Sequence, residues 1–552
     1  MQDFTDLYWR LDGTTKTQEK VAALADFFSA ATAADAAAAV GVLCGARQLR
    51  VVSTRQLRQW VAEETGLPDW LVEDSYAHVG DLAETLALLL PEPDPAAVAL
   101  PSPGLAETLA TTIHGLRGAS DDRKREVVTA TWRRLAPRER IVWHKLVTGG
   151  LRVGVSRTLV ARALAGLAGL EPAVMTHRLM GLAGGGLDAE GFATLLDPET
   201  AADDRRPYPF FLASPLEETG PAEVATALGD LADWQAEWKW DGMRAQIVRR
   251  GDDATIWSRG EELVNEAFPE LVAAAEALPA GTVLDGELLA VSAAEAGPLT
   301  LQGFAALSKR AGRRRVPKKI LAEIPSVFVA YDLLEQSGED LRSRPLAERR
   351  QRLETLVPAC FAAALEAGGE AAAPRLFTSP LVDGDSWEAL AASRQESRAR
   401  GVEGLMLKRR SSPYRTGRVR GDWWKWKIEP LEIDAVLLYA QAGHGRRAGL
   451  HSDYTLGVWD GERLVTIAKA YSGLDDAEIV EIDRIVRATT LERHGPVRIC
   501  EPTLVMQLAF EGVSASKRHK AGLAVRFPRI VRWRRDKTPA DAGTLDDLRR
   551  ML

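Results

Sequence analysis

Cysteine is almost missing from this chain: three occur in 552 residues, Cys44, Cys360 and Cys500, far apart. Neither a disulfide framework nor a four-cysteine zinc module can be built from them. So little cysteine suits a reducing compartment, and a cytoplasmic location is expected. Long apolar runs are missing as well. No stretch reaches the roughly 20 residues that cross a bilayer, so no membrane partner is expected. The opening MQDFTDLYWRLDGTTKTQEK lacks the basic and then apolar pattern of a secretion signal. Net positive charge is lacking too, since 70 Lys and Arg face 77 Asp and Glu for a total of -7. A polyanionic partner would therefore have to meet local basic clusters. What remains is ordinary, 46% hydrophobic and 27% charged, which excludes global disorder. A single core rarely grows past roughly 250–300 residues, so several domains are expected.

Three textures follow one another. Up to about residue 205 the pattern is helical. Alanine dominates Ala30 to Val40. Leu57, Trp60 and Val61 have helical spacing, with Ser53 or Thr54 as N-cap and Gly66 as stop, and Leu82, Leu86, Leu89 and Leu90 repeat it. Pro91 to Pro103 reads as a loop. From about Arg206 short alternating runs take over. Ala236 to Trp240, Thr282 to Val291 and Val327 to Leu333 read as strands. Gln246 to Arg250 and Ala254 to Ser258 read as a hairpin around Gly251, Asp252 and Asp253. Phe361 to Ala373 reads as a helix end with a flexible insertion. After about residue 428 the short strands Ala435 to Tyr439, Thr455 to Trp459 and Leu464 to Ala470 suit a small barrel.

The run Glu237-Trp238-Lys239-Trp240-Asp241-Gly242-Met243-Arg244 sets a lysine at a strand end before a glycine turn. Such an amine is a candidate nucleophile if desolvation or neighbouring cations disfavour its ammonium form. Alone, K-x-D-G is a hairpin turn with an exposed lysine. It is followed in order by Ser258-Arg259 with Glu261, by Asp285-Gly286-Glu287 and by Ala330-Tyr331-Asp332. Glu403-Gly404-Leu405-Met406-Leu407-Lys408 and Trp423-Trp424-Lys425-Trp426-Lys427 come next, and Arg526 to Lys537 close the series. Each alone has a plain reading as turn, strand core or solvated charge; their order and spacing do not. Side chains two apart on a strand share a face, so Lys425 and Lys427 can act together.

This ordered set resembles the covalent nucleotidyltransferase superfamily of ATP-dependent DNA ligases and mRNA capping enzymes. The resemblance implies Lys239 as the residue that takes AMP from ATP. It implies Glu237, Arg244, Arg259, Glu287, Tyr331, Lys425 and Lys427 around the nucleotide, with Tyr331 stacking on adenine. An arginine before the last strand motif also belongs there, and Arg418 and Arg420 both qualify. ATP is the implied co-substrate, with Mg²⁺ or Mn²⁺ held by Glu287 and Glu403. Arg244 and Arg259 suit two-pronged phosphate recognition.

Val147 to Ser156, with Gly149, Gly150 and Gly154, resembles the helical DNA-binding domain of cellular ATP-dependent ligases, which capping enzymes lack. Arg152, Gly154 and Ser156 are the implied DNA contacts, with Ser156 capping the next helix. Arg534, Asp536 and Lys537 are implied to close over the ATP pyrophosphate. The implied fold is multidomain. An all-α DNA-binding domain spans 1–205, an α+β nucleotidyltransferase (ATP-grasp-like adenylation) domain 206–428, and a β-barrel OB-fold domain 429–552. Basic runs at Lys309, Arg310, Arg313, Arg314, Arg315, Lys318 and Lys319, and at Lys408, Arg409, Arg410, Arg415, Arg418 and Arg420, suit phosphate neutralisation. So does the tail, with Lys517, Arg518, His519, Lys520, Arg526, Arg529, Arg532, Arg534, Arg535 and Lys537. The implied partner is nicked duplex DNA, encircled by a monomer. NAD-dependent ligases are disfavoured because the zinc module is missing. Capping guanylyltransfer and a non-catalytic DNA clamp are the competing readings.

Overall fold

Why the middle third forms sheets is visible in its two-residue alternation, which lets each strand turn one face to a core and one to a cleft. The computed structural model describes the chain except residues 45–49, 80, 94–102, 180–186, 201–205, 219, 293–299, 312, 314, 367–374, 444–448, 495–496 and 517–518. The expected boundary at 205, most of the 91–103 loop, the 367–373 part of the insertion, Arg314, Lys517 and Arg518 therefore lie outside the described residues. The chain divides into two compact units. One comprises Met1–Trp9, Gln48–Val153 and Glu429–Leu552; the other comprises Arg10–Arg47 and Gly154–Ile428. Every described element before Phe211 is helical.

In the first unit, helix Thr54–Thr65 is capped by Ser53, not Thr54. Ser53 and Gln56 form a reciprocal capping box, and Gly66 ends the helix at φ 68°. Leu57, Trp60 and Val61 are buried, as their spacing predicts. Helix Leu82–Leu89 starts at Asp81, which caps it and also takes Lys145 Nζ at 2.5 Å. His144 is buried in helix Pro137–Val147. Its Nε2 accepts from Trp132 Nε1 at 2.8 Å, and its Nδ1 lies 3.2 Å from the Ala83 carbonyl. Burial pushes its pKa down to about 4.

In the second unit the alanine-rich stretch is not one helix. Helix Thr17–Ala30 ends, and helix Ala33–Leu43 begins behind Thr32, whose side chain accepts from the Asp35 amide. A β-branched residue able to cap thus interrupts a run of strong helix formers.

The strands of the second unit are β1 (Phe211–Leu212), β2 (Ser214–Pro215), β3 (Trp234–Trp238), β4 (Met243–Arg250), β5 (Asp253–Ser258), β6 (Thr282–Ala290), β7 (Ser326–Gln336), β8 (Glu339–Asp340), β9 (Leu376–Thr378), β10 (Gly404–Arg409), β11 (Gly417–Arg418) and β12 (Trp423–Lys427). β5-β4-β6-β7-β8, with β9 beside β7, form one sheet. β2-β12-β10-β3 form another, and β1 pairs with β11. On the large sheet Ala245, Ile247, Leu284, Leu288, Phe328 and Ala330 enter the main core. Arg244, Glu287 and Tyr331 fall on the opposite face by alternation. On the small sheet Trp234, Ala236, Leu405, Leu407, Trp424 and Trp426 share another core. Gln235, Glu237, Met406, Lys408, Trp423 and Lys425 take the other face.

The first unit's strands are β13 (Leu431–Ala442), β14 (His451–Asp460), β15 (Arg463–Ala470), β16 (Thr490–His494), β17 (Val497–Cys500), β18 (Val505–Phe510), β19 (Gly512–Ala515), β20 (Leu523–Arg526) and β21 (Arg529–Trp533). β15-β14-β13-β17-β16 form its main path, and β18 joins β13 to β21. β13, β14 and β15 all contain the runs expected there and extend beyond them.

Candidate active site

Glu237, Lys239, Arg244, Arg259, Glu287, Tyr331, Arg418 and Lys425 line one pocket of the second unit, together with Leu212, Trp240, Met406, Lys408 and Trp423. The sheet faces opposite the two larger cores supply most of that wall, beside smaller apolar clusters around Phe211 and Leu289. β3 stops at Trp238, two residues short of the expected end. Lys239 nevertheless continues its pairing with β10: its N–H donates to the Gly404 carbonyl at 2.8 Å, and its carbonyl accepts from the Glu403 N–H at 2.8 Å. The side chains of Lys239 and Glu403 are thereby brought together, with Nζ 2.6 Å from Glu403 Oε2. Lys427 Nζ reaches the same oxygen at 3.2 Å.

Two motif glycines permit this closeness. A Cβ on Gly242 would lie 2.3 Å from the Leu288 carbonyl oxygen, so only glycine lets the turn after Lys239 press against β6. Gly404 sits at φ 134°, and a Cβ there would lie 2.3 Å from the Trp426 carbonyl oxygen.

The electrostatics are uneven. Burial raises Glu403, but Lys239 and Lys427 outweigh it and hold the carboxyl below its usual range. Glu287 has no such pairing among the described residues. Burial pushes it up to about 8, against the pull of Lys239 and Arg244, and Asp285 and Glu403 add to the rise. Burial also lowers the Lys425 ammonium, helped by Arg418, Lys239, Lys427 and Arg259.

The structure separates the two arginines left open by the spacing. The pairing of Leu212 with Arg418 in β1 and β11 brings Arg418 into the pocket wall. Arg420 instead lies over the Trp424 ring at 5.4 Å. Arg244 corrects an expectation. Its guanidinium donates to both oxygens of buried Asp285, at 3.1 and 2.6 Å, and to the Phe211 carbonyl at 2.6 Å. Tyr414 donates to Asp285 as well, at 2.7 Å. That two-pronged fork is filled by a carboxylate, so it is not open for phosphate. Asp332, next to Tyr331, faces away and holds Arg349 at 2.8 Å with both side chains fully buried.

Two members of the basic runs are also not surface charges. Arg310 is buried and donates to Glu270, Ser326 and the Ala267 and Ile324 carbonyls. Lys408 is 1% exposed and donates to Glu237 Oε1 at 2.9 Å. Spacing does not single out Lys408 in the pocket wall, nor Asp285 and Tyr414 behind Arg244. Alternation along β10 could have found Lys408, two residues after Met406 on the cleft face.

Elsewhere, Arg152, Gly154 and Ser156 are exposed. Ser156 stands at the N-cap of helix Arg157–Ala168, but its side chain makes no capping hydrogen bond. Arg534 donates to Asp536 and to Asp434, and Lys537 Nζ lies 2.6 Å from Asp434. Among the described residues no group of three or more metal-ligating side chains occurs, and no helix is long and apolar enough to cross a membrane.

A lysine fixed beside a carboxylate on one sheet and faced by an aromatic ring and a second acid on another defines a nucleotidyltransferase-type pocket. Comparison with known proteins makes this specific. Family models match along the chain: DNA ligase N terminus over residues 1–165, ATP dependent DNA ligase domain over 212–427, and ATP dependent DNA ligase C terminal region over 447–537. A probable DNA ligase of Koribacter versatilis is 34% identical, covering 97% of this chain and 93% of its own. One of Opitutus terrae is 31% identical over 98% of this chain and 61% of its own length. The solved structure Pmar-Lig_Pre shares the fold with a TM-score of 0.62 at 14% identity, over 96% of this chain and 99% of that one. The chain belongs to the ATP-dependent DNA ligase family.

Proposed function

We propose that this ligase seals 5′-phosphate/3′-hydroxyl nicks in duplex DNA through an AMP bonded to Lys239 Nζ. The observation that carries the reading is the ladder-fixed Lys239, which lines the pocket and has its amine 2.6 Å from Glu403. The ammonium must lose a proton before it can attack, and Glu403 Oε2, paired with it at 2.6 Å, fixes where the amine sits. Nζ then bonds to the α-phosphorus while the bond to pyrophosphate breaks. AMP passes next to the nick 5′-phosphate, and the 3′-hydroxyl displaces it. Covalent catalysis divides one displacement into easier ones.

Arg259, Arg418, Lys425 and Lys427 supply positive charge for the phosphates, and Tyr331 supplies the stacking surface. Glu237 and Arg244 belong to the pocket wall; Arg244 orients Asp285 and holds β1 through the Phe211 carbonyl. Glu287 and Glu403 suit Mg²⁺ or Mn²⁺. They are hard oxygen donors close enough to repel each other, and phosphate oxygens and water would complete so small a set. Such an ion supplies Lewis-acid neutralisation of phosphate charge.

The reading assigns 1–205 to a helical DNA-binding domain, 206–428 to adenylation and 429–552 to an OB-fold barrel. Arg152, Gly154 and Ser156 contact DNA, and Arg534, Asp536 and Lys537 close on pyrophosphate. The protein acts as a cytoplasmic monomer that encircles DNA. The test is intact mass after incubation with ATP and Mg²⁺. An AMP adduct is expected on the wild type and none on Lys239→Ala. An adduct that persists in that variant, or a GMP adduct in place of AMP, defeats the reading.

A further inference from the structure

Lys408 is an odd residue to bury. Its strand, β10, sets it opposite Gln235 of β3 and Trp423 of β12. The side chain lies in the pocket wall, against Trp423 of a small apolar cluster. Its Nζ is 2.9 Å from Glu237 Oε1, 4.2 Å from the centre of the Tyr331 ring and 4.6 Å from that of Trp423. One ammonium thus joins three elements of two sheets. Gln235 Nε2 donates to the same Glu237 oxygen at 2.9 Å.

Stability alone does not explain this arrangement. Desolvating two charges offsets most of their attraction, and apolar replacements of buried pairs are often no less stable. What the pair does supply is definition. A carboxylate ion-paired with Lys408 accepts hydrogen bonds and donates none. A cation set over an aromatic ring restrains it, and the Arg244 guanidinium lies 5.8 Å from the centre of the same Tyr331 ring, so the ring is held by both residues. Glu237, Tyr331 and Lys408 all line the nucleotide pocket.

We propose that Lys408 is a positioning residue for base selection. By holding Glu237 and the Tyr331 ring together, it makes the pocket prefer a purine that presents an amino donor over one that presents an oxo acceptor. This rests on the ligase reading above. Sites built around a fixed polar partner reject analogues strongly, because the mismatched group leaves a buried charge unpaired.

The test is lysyl-nucleotide formation by the full chain in a single turnover, with ATP and with inosine triphosphate, which carries oxo in place of the 6-amino group. Wild type, Lys408→Met and Lys408→Arg are compared. For Lys408→Met we expect the ATP preference to fall about tenfold or more, and half-saturation by ATP to rise about tenfold, while the saturating rate with ATP changes less than about threefold. Lys408→Arg recovers part of the preference. The preference is a ratio within one preparation, so a reduced folded fraction does not move it. If Lys408→Met does not fold, Lys408→Gln, which can still donate to Glu237 but carries no charge over the Tyr331 ring, is measured instead. A preference within about threefold of wild type in whichever variant is measured overturns the proposal. A wild type that forms no AMP adduct overturns the ligase reading instead.

Discussion

At the scale of single residues, the pocket depends on charges that are already occupied. Asp285 is fully buried and receives Arg244 and Tyr414. Truncating it strands a guanidinium that is 15% exposed. Asp285→Ala is expected to lower stability by about 3 kcal/mol. Chemical denaturation checks this, and Asp285→Leu combined with Arg244→Met should recover part of the loss. Spacing along the chain identified Arg244 but not its partner's claim on it. Facing positions on β4 and β6 are set by register, and register is a long-range property. The same holds for Arg310 and Lys408. As letters in a basic run they look solvated, and only the strand and helix around them reveal that each points inward.

At the scale of elements, alternation made the strands legible. β4, β5, β6 and β7 lie where their two-residue patterns put them, within a few residues at each end. The helix at Thr54–Thr65 was legible because capping box and terminal glycine are local signals. Less legible was the break at Thr32, where one cap residue decides against a whole alanine run. The identity of the pocket arginine was hidden too, because a two-residue parallel pairing between β1 and β11 delivers it. The turn after Lys239 shows how sharp such constraints become. A methyl group on Gly242 would meet the Leu288 carbonyl oxygen at 2.3 Å. Gly242→Ala should therefore displace Lys239, and if Lys239 is the nucleophile proposed above, misplacement near 1 Å can cost about a hundredfold in rate. Adenylation kinetics would show that loss, while β-sheet circular dichroism should stay near wild type.

At the scale of the whole molecule, a net charge of -7 still leaves phosphate binding to local cations. Nick affinity should fall steeply with salt. Arg152→Ala should make the log–log salt slope shallower by about 1, measured by titration at several salt concentrations. An unchanged slope would remove Arg152 from the DNA contacts. The helical segment also carries a built-in acid sensitivity. His144 is neutral when folded, with its pKa down near 4, and ordinary when unfolded, near 6.5. The unfolded chain therefore binds the extra proton between those values. The contribution is complete above about pH 6.5 and is lost as pH falls toward 4, by order 3 kcal/mol. Thermal unfolding across that window should slope for the wild type and flatten for His144→Gln, which can keep both hydrogen bonds.

Lys239 is held at its amide by Gly404 of β10 and at its carbonyl by Glu403 just before that strand, each at 2.8 Å. On the proposed chemistry, a nucleotide bonded to its tip would hang on four methylenes from that backbone root, so its reach would be a lysine's length, and delivery would wait on a break in the duplex coming to rest within the arc of that short arm.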